Sequence, residues 1–239
     1  MLINNNVLPV HQGLGDLPAA YDGKDVVIGI IDTGIDFLHP DFQDENGNTR
    51  VLHIWDQTFG NLSPGYDPNR IPLPYGYGNE WDSTDINAGV CTHTEPSVFS
   101  GHGTNVSGSA VGNGLAVNNY KGVAPEADII VVASNFGAVS WTSLVADAVE
   151  YIFAKADALG KPCVINGSLG TYFGSHDGMD APAQYIDSLI TSTNGRAFVC
   201  AAGNCGNEPL HMSHDVTQDT SFTWFQFNPS CPRLRSHIF

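Results

Sequence analysis

The stretch that most constrains this chain is Val26-Val27-Ile28-Gly29-Ile30-Ile31-Asp32-Thr33-Gly34, in which five of the first six residues are apolar and β-branched. An unbroken run of this kind fits a strand buried on both faces of a parallel sheet. It ends abruptly in Asp-Thr-Gly. A carboxylate at the C-terminal end of such a strand lies where α/β sheets gather ligands and chemistry. The plainer reading is that Asp32 caps a turn after a core strand.

The rest of the chain alternates strand and helix. Arg50–Trp55 reads as a strand after an Asn-Gly turn, so residues 35–60 suggest a turn and a hairpin. The acidic turn, residues 44–48, lacks EF-hand spacing and the bidentate Glu, so it reads as a solvated tip. Residues 60–100, rich in Pro, Gly, Tyr and Asn, read as a long surface insertion with a short helix near Ser83–Gly89. His102, between two glycines, opens a small-residue helix. Ala127–Val132 is a second core strand. Residues 141–159 carry apolar side chains at helical spacing, and Lys161-Pro162 ends that helix. Cys163–Gly170 is a third strand, 182–193 a helix, and Arg196–Asn204 a fourth strand ending in Gly-Asn. This order implies right-handed crossovers and a parallel sheet covered by helices on both faces.

Composition narrows the function. Nine Lys and Arg stand against 25 Asp and Glu, a net charge of −16. Neither nucleic acid nor an anionic membrane is expected as a partner, since both need a basic face. No apolar run spans a membrane, and the N-terminal residues lack the pattern of an export signal. The five cysteines include no Cys-x-x-Cys pair. Cys163 and Cys200 fall in strands as small buried thiols, and a Cys91–Cys205 or Cys205–Cys231 disulfide stays open. His211 and His214 lack further ligands nearby in sequence and read as loop histidines, so no metal site is expected.

Three polar residues stand beside glycines at strand or helix ends: Asp32, His102 and Asn204. Asp and His are two-thirds of a charge-relay triad, and an Asn amide can donate to a developing oxyanion. Here the chain resembles the subtilisin-like serine proteases (peptidase S8). The resemblance rests on Ile31-Asp32-Thr33-Gly34-Ile35-Asp36 with His39-Pro40-Asp41-Phe42, on Gly101-His102-Gly103-Thr104, on Gly122-Val123-Ala124-Pro125, on Val164-Ile165-Asn166-Gly167-Ser168-Leu169-Gly170, and on Ala201-Ala202-Gly203-Asn204. These occur in the family's order over about residues 8–220, and the long Asp-to-His insertion looks like a bacterial branch. The resemblance implies a subtilisin-like parallel-sheet α/β sandwich, with Asp32 orienting the base, His102 as general base and acid, and Asn204 as oxyanion donor. Ser168, Leu169 and Gly170 would form one wall of the primary specificity pocket, and Ser134, Phe136 and Gly137 the opposite edge. A polypeptide would bind between them as an added strand. No cofactor is implied beyond a structural calcium, and a secreted or periplasmic location is the family's usual one.

The match fails at the nucleophile. The family's Ser follows Gly-Thr at the start of a late helix, and this sequence holds no Gly-Thr-Ser. Thr220-Ser221 follows Asp219 and leads into an aromatic alternating run. Residues 1–230 thus read as a partial peptidase domain, lacking the Ser helix and last strands, and 231–239 as an atypical tail with two of the five arginines and no acid. Two classes stay open: a serine endopeptidase whose portion here is inactive, and a peptide-binding pseudoprotease. A nucleotide-binding protein is disfavoured, because no Gly-rich fingerprint follows the first strand.

Overall fold

A computed structural model describes residues 2–171 and 176–204, together with Asp215 and Thr217. The chain divides into two compact units, Met1–Gly203 and Asn204–Phe239. The second is described only at Asn204, Asp215 and Thr217. His211, His214, Ser221, Cys205, Cys231 and the 231–239 tail therefore lie outside the described residues.

The first unit is built on one six-stranded sheet. Its strands are β1 (Val27–Asp32), β2 (Val51–Asp56), β3 (Asn79–Asp82), β4 (Asp128–Ala133), β5 (Cys163–Gly167) and β6 (Arg196–Cys200), in the order β3-β2-β4-β1-β5-β6. All neighbours are parallel except β2 and β3. The helices are α1 (Val7–His11), α2 (Ser83–Asn87), α3 (His102–Val111), α4 (Trp141–Ala158) and α5 (Ala181–Thr191). The expected parallel α/β architecture is what the chain adopts.

β1 sits in the middle because it can be buried on both faces. Val27, Ile31, Ile130, Val132 and Ile165 pack with Ala148, Val149, Ile152, Phe153 and Ala156 of α4. Ile30, Ile129 and Val131 face the other way, onto Val111 of α3, Ile54, Trp81 and Phe42. Alternate residues of one strand thus feed two cores. Gly29 lets α4 approach: a Cβ there would lie 2.6 Å from Cγ2 of Ile152.

Two local outcomes differ from the sequence expectation. The hairpin at 43–49 shrinks to a single antiparallel bridge, Gln43 with Thr49. β2 instead runs parallel to β4, because Ile54 and Trp55 are fully buried and belong inside the sheet. A one-residue bulge between Val51 and His53 adjusts its register. The 60–100 segment is also more than surface. It contributes β3 and the short α2, and it buries Asn79, Trp81, Ile86 and His93. β3 is stabilised by cross-strand pairing with β2 and by the packing of Trp81.

Glu80 ties β3 to α4. It lies 2.5 Å from Nζ of Lys155 and 3.0 Å from Nδ1 of His53, and it accepts a 2.8 Å hydrogen bond from the Tyr151 hydroxyl. Burial alone would raise its carboxyl, but these three partners outweigh burial and bring it down to about 2. A depressed carboxylate stabilises the fold above its unfolded value and loses that contribution as pH falls through the folded value. Glu80 therefore stabilises the protein fully above about pH 5, and the contribution fades between roughly pH 4.5 and 2. Glu80→Gln should flatten the stability profile across that window, read by urea denaturation at a series of pH values. An unchanged acid limb would remove Glu80 as a cause of acid unfolding.

Candidate active site

β1 delivers Asp32 to the C-terminal edge of the sheet, fully buried. α3 begins at His102, with Gly101 as its N-cap at φ 74°. Glycine adopts that backbone freely, which lets the chain turn sharply into the helix. The helix then presses on the turn after β1: a Cβ on Gly103 would lie 2.1 Å from the Gly34 carbonyl oxygen. This contact sets the His102 side chain beside Asp32, with Nδ1 2.6 Å from Oδ1.

The backbone N–H of Thr33 donates to the same Asp32 oxygen at 2.7 Å. Oδ2 is buried and has no hydrogen-bond partner. The His102 side chain is 52% exposed while that of Asp32 is 1% exposed. One ring nitrogen is thus held on a buried carboxylate while the side chain stays half open to solvent. A carboxylate in that place favours the Nδ1–H tautomer, which leaves Nε2 as a free base.

A second Asp–His pair lies nearby, and sequence reading missed it. His93 Nδ1 is 2.6 Å from Oδ2 of Asp56, and its Nε2 accepts the backbone N–H of Ile35 at 3.2 Å. Its side chain has no exposed surface, and both ring nitrogens are engaged. It can hold the 33–35 turn but cannot exchange protons with a ligand. Asp56 and Asp32 both pair with Ala133, so they stand in the same row of the sheet, two strands apart.

The edge residues expected around a ligand have these surroundings. Ser134 is buried, its N–H donates to the Asp32 carbonyl at 2.8 Å, and its hydroxyl accepts from Trp141 Nε1 at 3.1 Å. Phe136 is 37% exposed, with ring centroids 5.8 Å from Phe99 and 5.5 Å from Trp141. The Gly137 N–H donates to the Asn135 side chain at 3.1 Å. Ser168 accepts from Asn166 Nδ2 at 2.9 Å, Leu169 packs against the α4-side core, and a Cβ on Gly170 would meet open space. Asn204 is exposed and opens the second unit.

Cys91, Cys163 and Cys200 are free thiols, and burial pushes Cys163 up to about 12, which makes it a poor nucleophile. Among the described residues no three His, Cys, Asp or Glu side chains converge to hold a metal ion.

The parallel sheet thus carries a strand-end aspartate that holds a half-exposed imidazole. The Subtilase family matches residues 23–222, and the chain belongs to that family. Among its relatives, subtilisin-like protease SBT2.1 of Arabidopsis thaliana is 27% identical over 229 residues, which is 86% of this chain and 26% of that protein. Minor extracellular protease Vpr of Bacillus subtilis is 28% identical, over 78% of this chain and 18% of that protein. The solved structure of the Clostridium perfringens CspB protease superposes with a TM-score of 0.62 at 30% identity, over 78% of this chain and 37% of that one. The chain thus spans only about a quarter of SBT2.1.

Proposed function

We propose that this chain carries the Asp–His portion of a serine endopeptidase acting on extended polypeptides. The observation that carries the reading is the 2.6 Å contact between buried Asp32 and half-exposed His102. In this mechanism His102 Nε2 takes the proton of a serine hydroxyl as the hydroxyl attacks the peptide carbonyl. Asp32 stabilises the imidazolium that forms. His102 then returns the proton to the leaving amine. Asn204 donates to the oxyanion, a contribution of about 3–4 kcal/mol in barrier for such a donor, a value measured in a subtilisin and not in this protein. Triad chemistry needs no cofactor.

The substrate lies as a strand between Ser134–Gly137 and Ser168–Gly170, with backbone pairing supplying affinity. Phe99, Phe136 and Trp141 offer it an apolar surface. An extracytoplasmic location fits relatives such as the extracellular Vpr. A second reading is peptide capture without hydrolysis, which uses the strand-binding edges and has no need of the Asp32–His102 pair.

The two readings separate on a paired experiment. The 239-residue chain is expected neither to cleave casein nor to react with a fluorophosphonate probe. The coding DNA beyond residue 239, read in all three frames, is expected to encode Gly-Thr-Ser before small residues. Joining that segment should restore both cleavage and labelling. If no frame encodes such a segment, peptide capture becomes the function; if the joined protein stays inert, the endopeptidase reading falls.

A further inference from the structure

We propose that Glu95 is a positioning residue for His102, acting as an external cap that locks the first turn of α3 to the turn after β1. The inference rests on His102 being the base of the proposed reaction.

α3 has no side-chain cap of its own, because its N-cap is Gly101. The first N–H groups of a helix lack partners within it, and a carboxylate is the natural acceptor there. Glu95, seven residues before His102, fills that place. Its Oε1 accepts the Gly103 N–H at 2.7 Å and its Oε2 the Thr104 N–H at 3.2 Å. Arg50 complements the other end of α3, donating to the Val111 carbonyl at 3.0 Å. Both helix ends thus meet a charge of the favourable sign.

Two hydroxyls make Glu95 more than a cap. Thr33, next to Asp32, accepts the Gly103 N–H of α3 at 2.9 Å. Thr104, on α3, accepts the Asp36 N–H at 2.7 Å. The helix and the β1 turn therefore bond each other reciprocally. Each hydroxyl then has one proton to place, and Glu95 is the nearer acceptor for both: Thr33 Oγ1 donates to Oε1, with Asp32 Oδ1 a longer second acceptor at 3.1 Å, and Thr104 Oγ1 donates to Oε2 at 2.5 Å. The carboxylate receives four donors and supplies none, which only an anion can do. Burial alone would raise its carboxyl, yet these hydrogen bonds hold it below the usual carboxylate range.

Glutamine at this position cannot serve. One of its two polar ends is an NH₂ group, aimed at donors. The cross-link would open on one side, and His102, the residue between Gly101 and Gly103, would lose its fixed approach to Asp32. His93 reinforces the clamp from two residues away, through Ile35.

The test is nitrogen NMR of the His102 ring in the 239-residue chain, which reads the neutral tautomer directly and requires no turnover. In Glu95→Gln the Nδ1–H share is expected to fall by about half, with the Nδ1 proton exchanging faster with water. Thr104→Val, which removes one bridging hydroxyl, should shift the ring in the same direction, and Thr104→Ser should restore the parent pattern. A folded Glu95→Gln with the parent ring pattern overturns the proposal. If Glu95→Gln fails to fold, an unmoved ring in Thr104→Val overturns it. A ring that moves in a chain whose joined form never cleaves peptide would leave the clamp standing and the protease reading refuted.

Discussion

Asp32→Asn is expected to leave the fold in place and to lower kcat by about 10⁴-fold in a chain that carries the nucleophile, the size seen when a triad aspartate is neutralised in an unrelated serine protease. The geometry explains the separation of the two effects. Oδ1 accepts both the Thr33 N–H and the imidazole. An asparagine oxygen can take its place. The amide NH₂ then falls where Oδ2 sits buried without a partner. Removing a fully buried charge relieves desolvation, while the idle NH₂ and the weaker acceptor cost something similar. Stability should therefore change by no more than about 1 kcal/mol. What disappears is the full negative charge facing the imidazolium. Melting curves together with steady-state kinetics decide the matter: activity within tenfold of the parent would show that Asp32 is a turn residue only.

Gly103→Ala is expected to act the other way round, costing roughly 3 kcal/mol or more of stability. The new Cβ would stand 2.1 Å from the Gly34 carbonyl oxygen and 3.0 Å from the Gly34 nitrogen. Both are backbone atoms, so no rotamer change relieves the overlap. α3 would have to lift from β1, carrying His102 and the Thr33–Gly103 bond with it. Chemical denaturation should show a lower midpoint with little change in slope. A variant as stable as the parent would mean that the helix does not dock on Gly34 in solution.

Much of this was legible in the residues. Val26–Ile31 announces a strand buried on both faces because nearly every side chain in it is apolar. α4 announces itself by period, and its C-terminal stop is only refined by Gly160, which turns at φ 66°. The Asp32–His102 pairing was legible from motif order, since both residues stand beside glycines at element ends.

The missed features share a cause: their signal is tertiary. β3 is four residues, Asn-Glu-Trp-Asp, too short and too polar for a period, and it exists because β2 and Trp81 give it something to pair with and pack on. His93 and Glu95 sit in an aperiodic loop, where a histidine and a glutamate look solvated. Their partners, Asp56, Ile35, Thr33 and Thr104, are distant in sequence or carry no charge that would advertise the bond. One available hint was that Asp56, like Asp32, closes an apolar strand.

That likeness brings the small irregularity at Leu52 into play. Side chains on a strand change face at every step, so inserting or deleting one residue reverses everything downstream. The bulge shifts the phase of β2 once, near its start, and Ile54, Trp55 and Asp56 thereafter keep step with Val131, Val132 and Ala133. Deleting Leu52 would set Val51 and His53 opposite Ile129 and Ile130 in an uninterrupted ladder, with Trp55 still against Tyr151 of α4 and Asp56 still beside His93. The bulge thus absorbs a surplus residue at the far end of a neighbouring strand and leaves the carboxylate row at the other end in step.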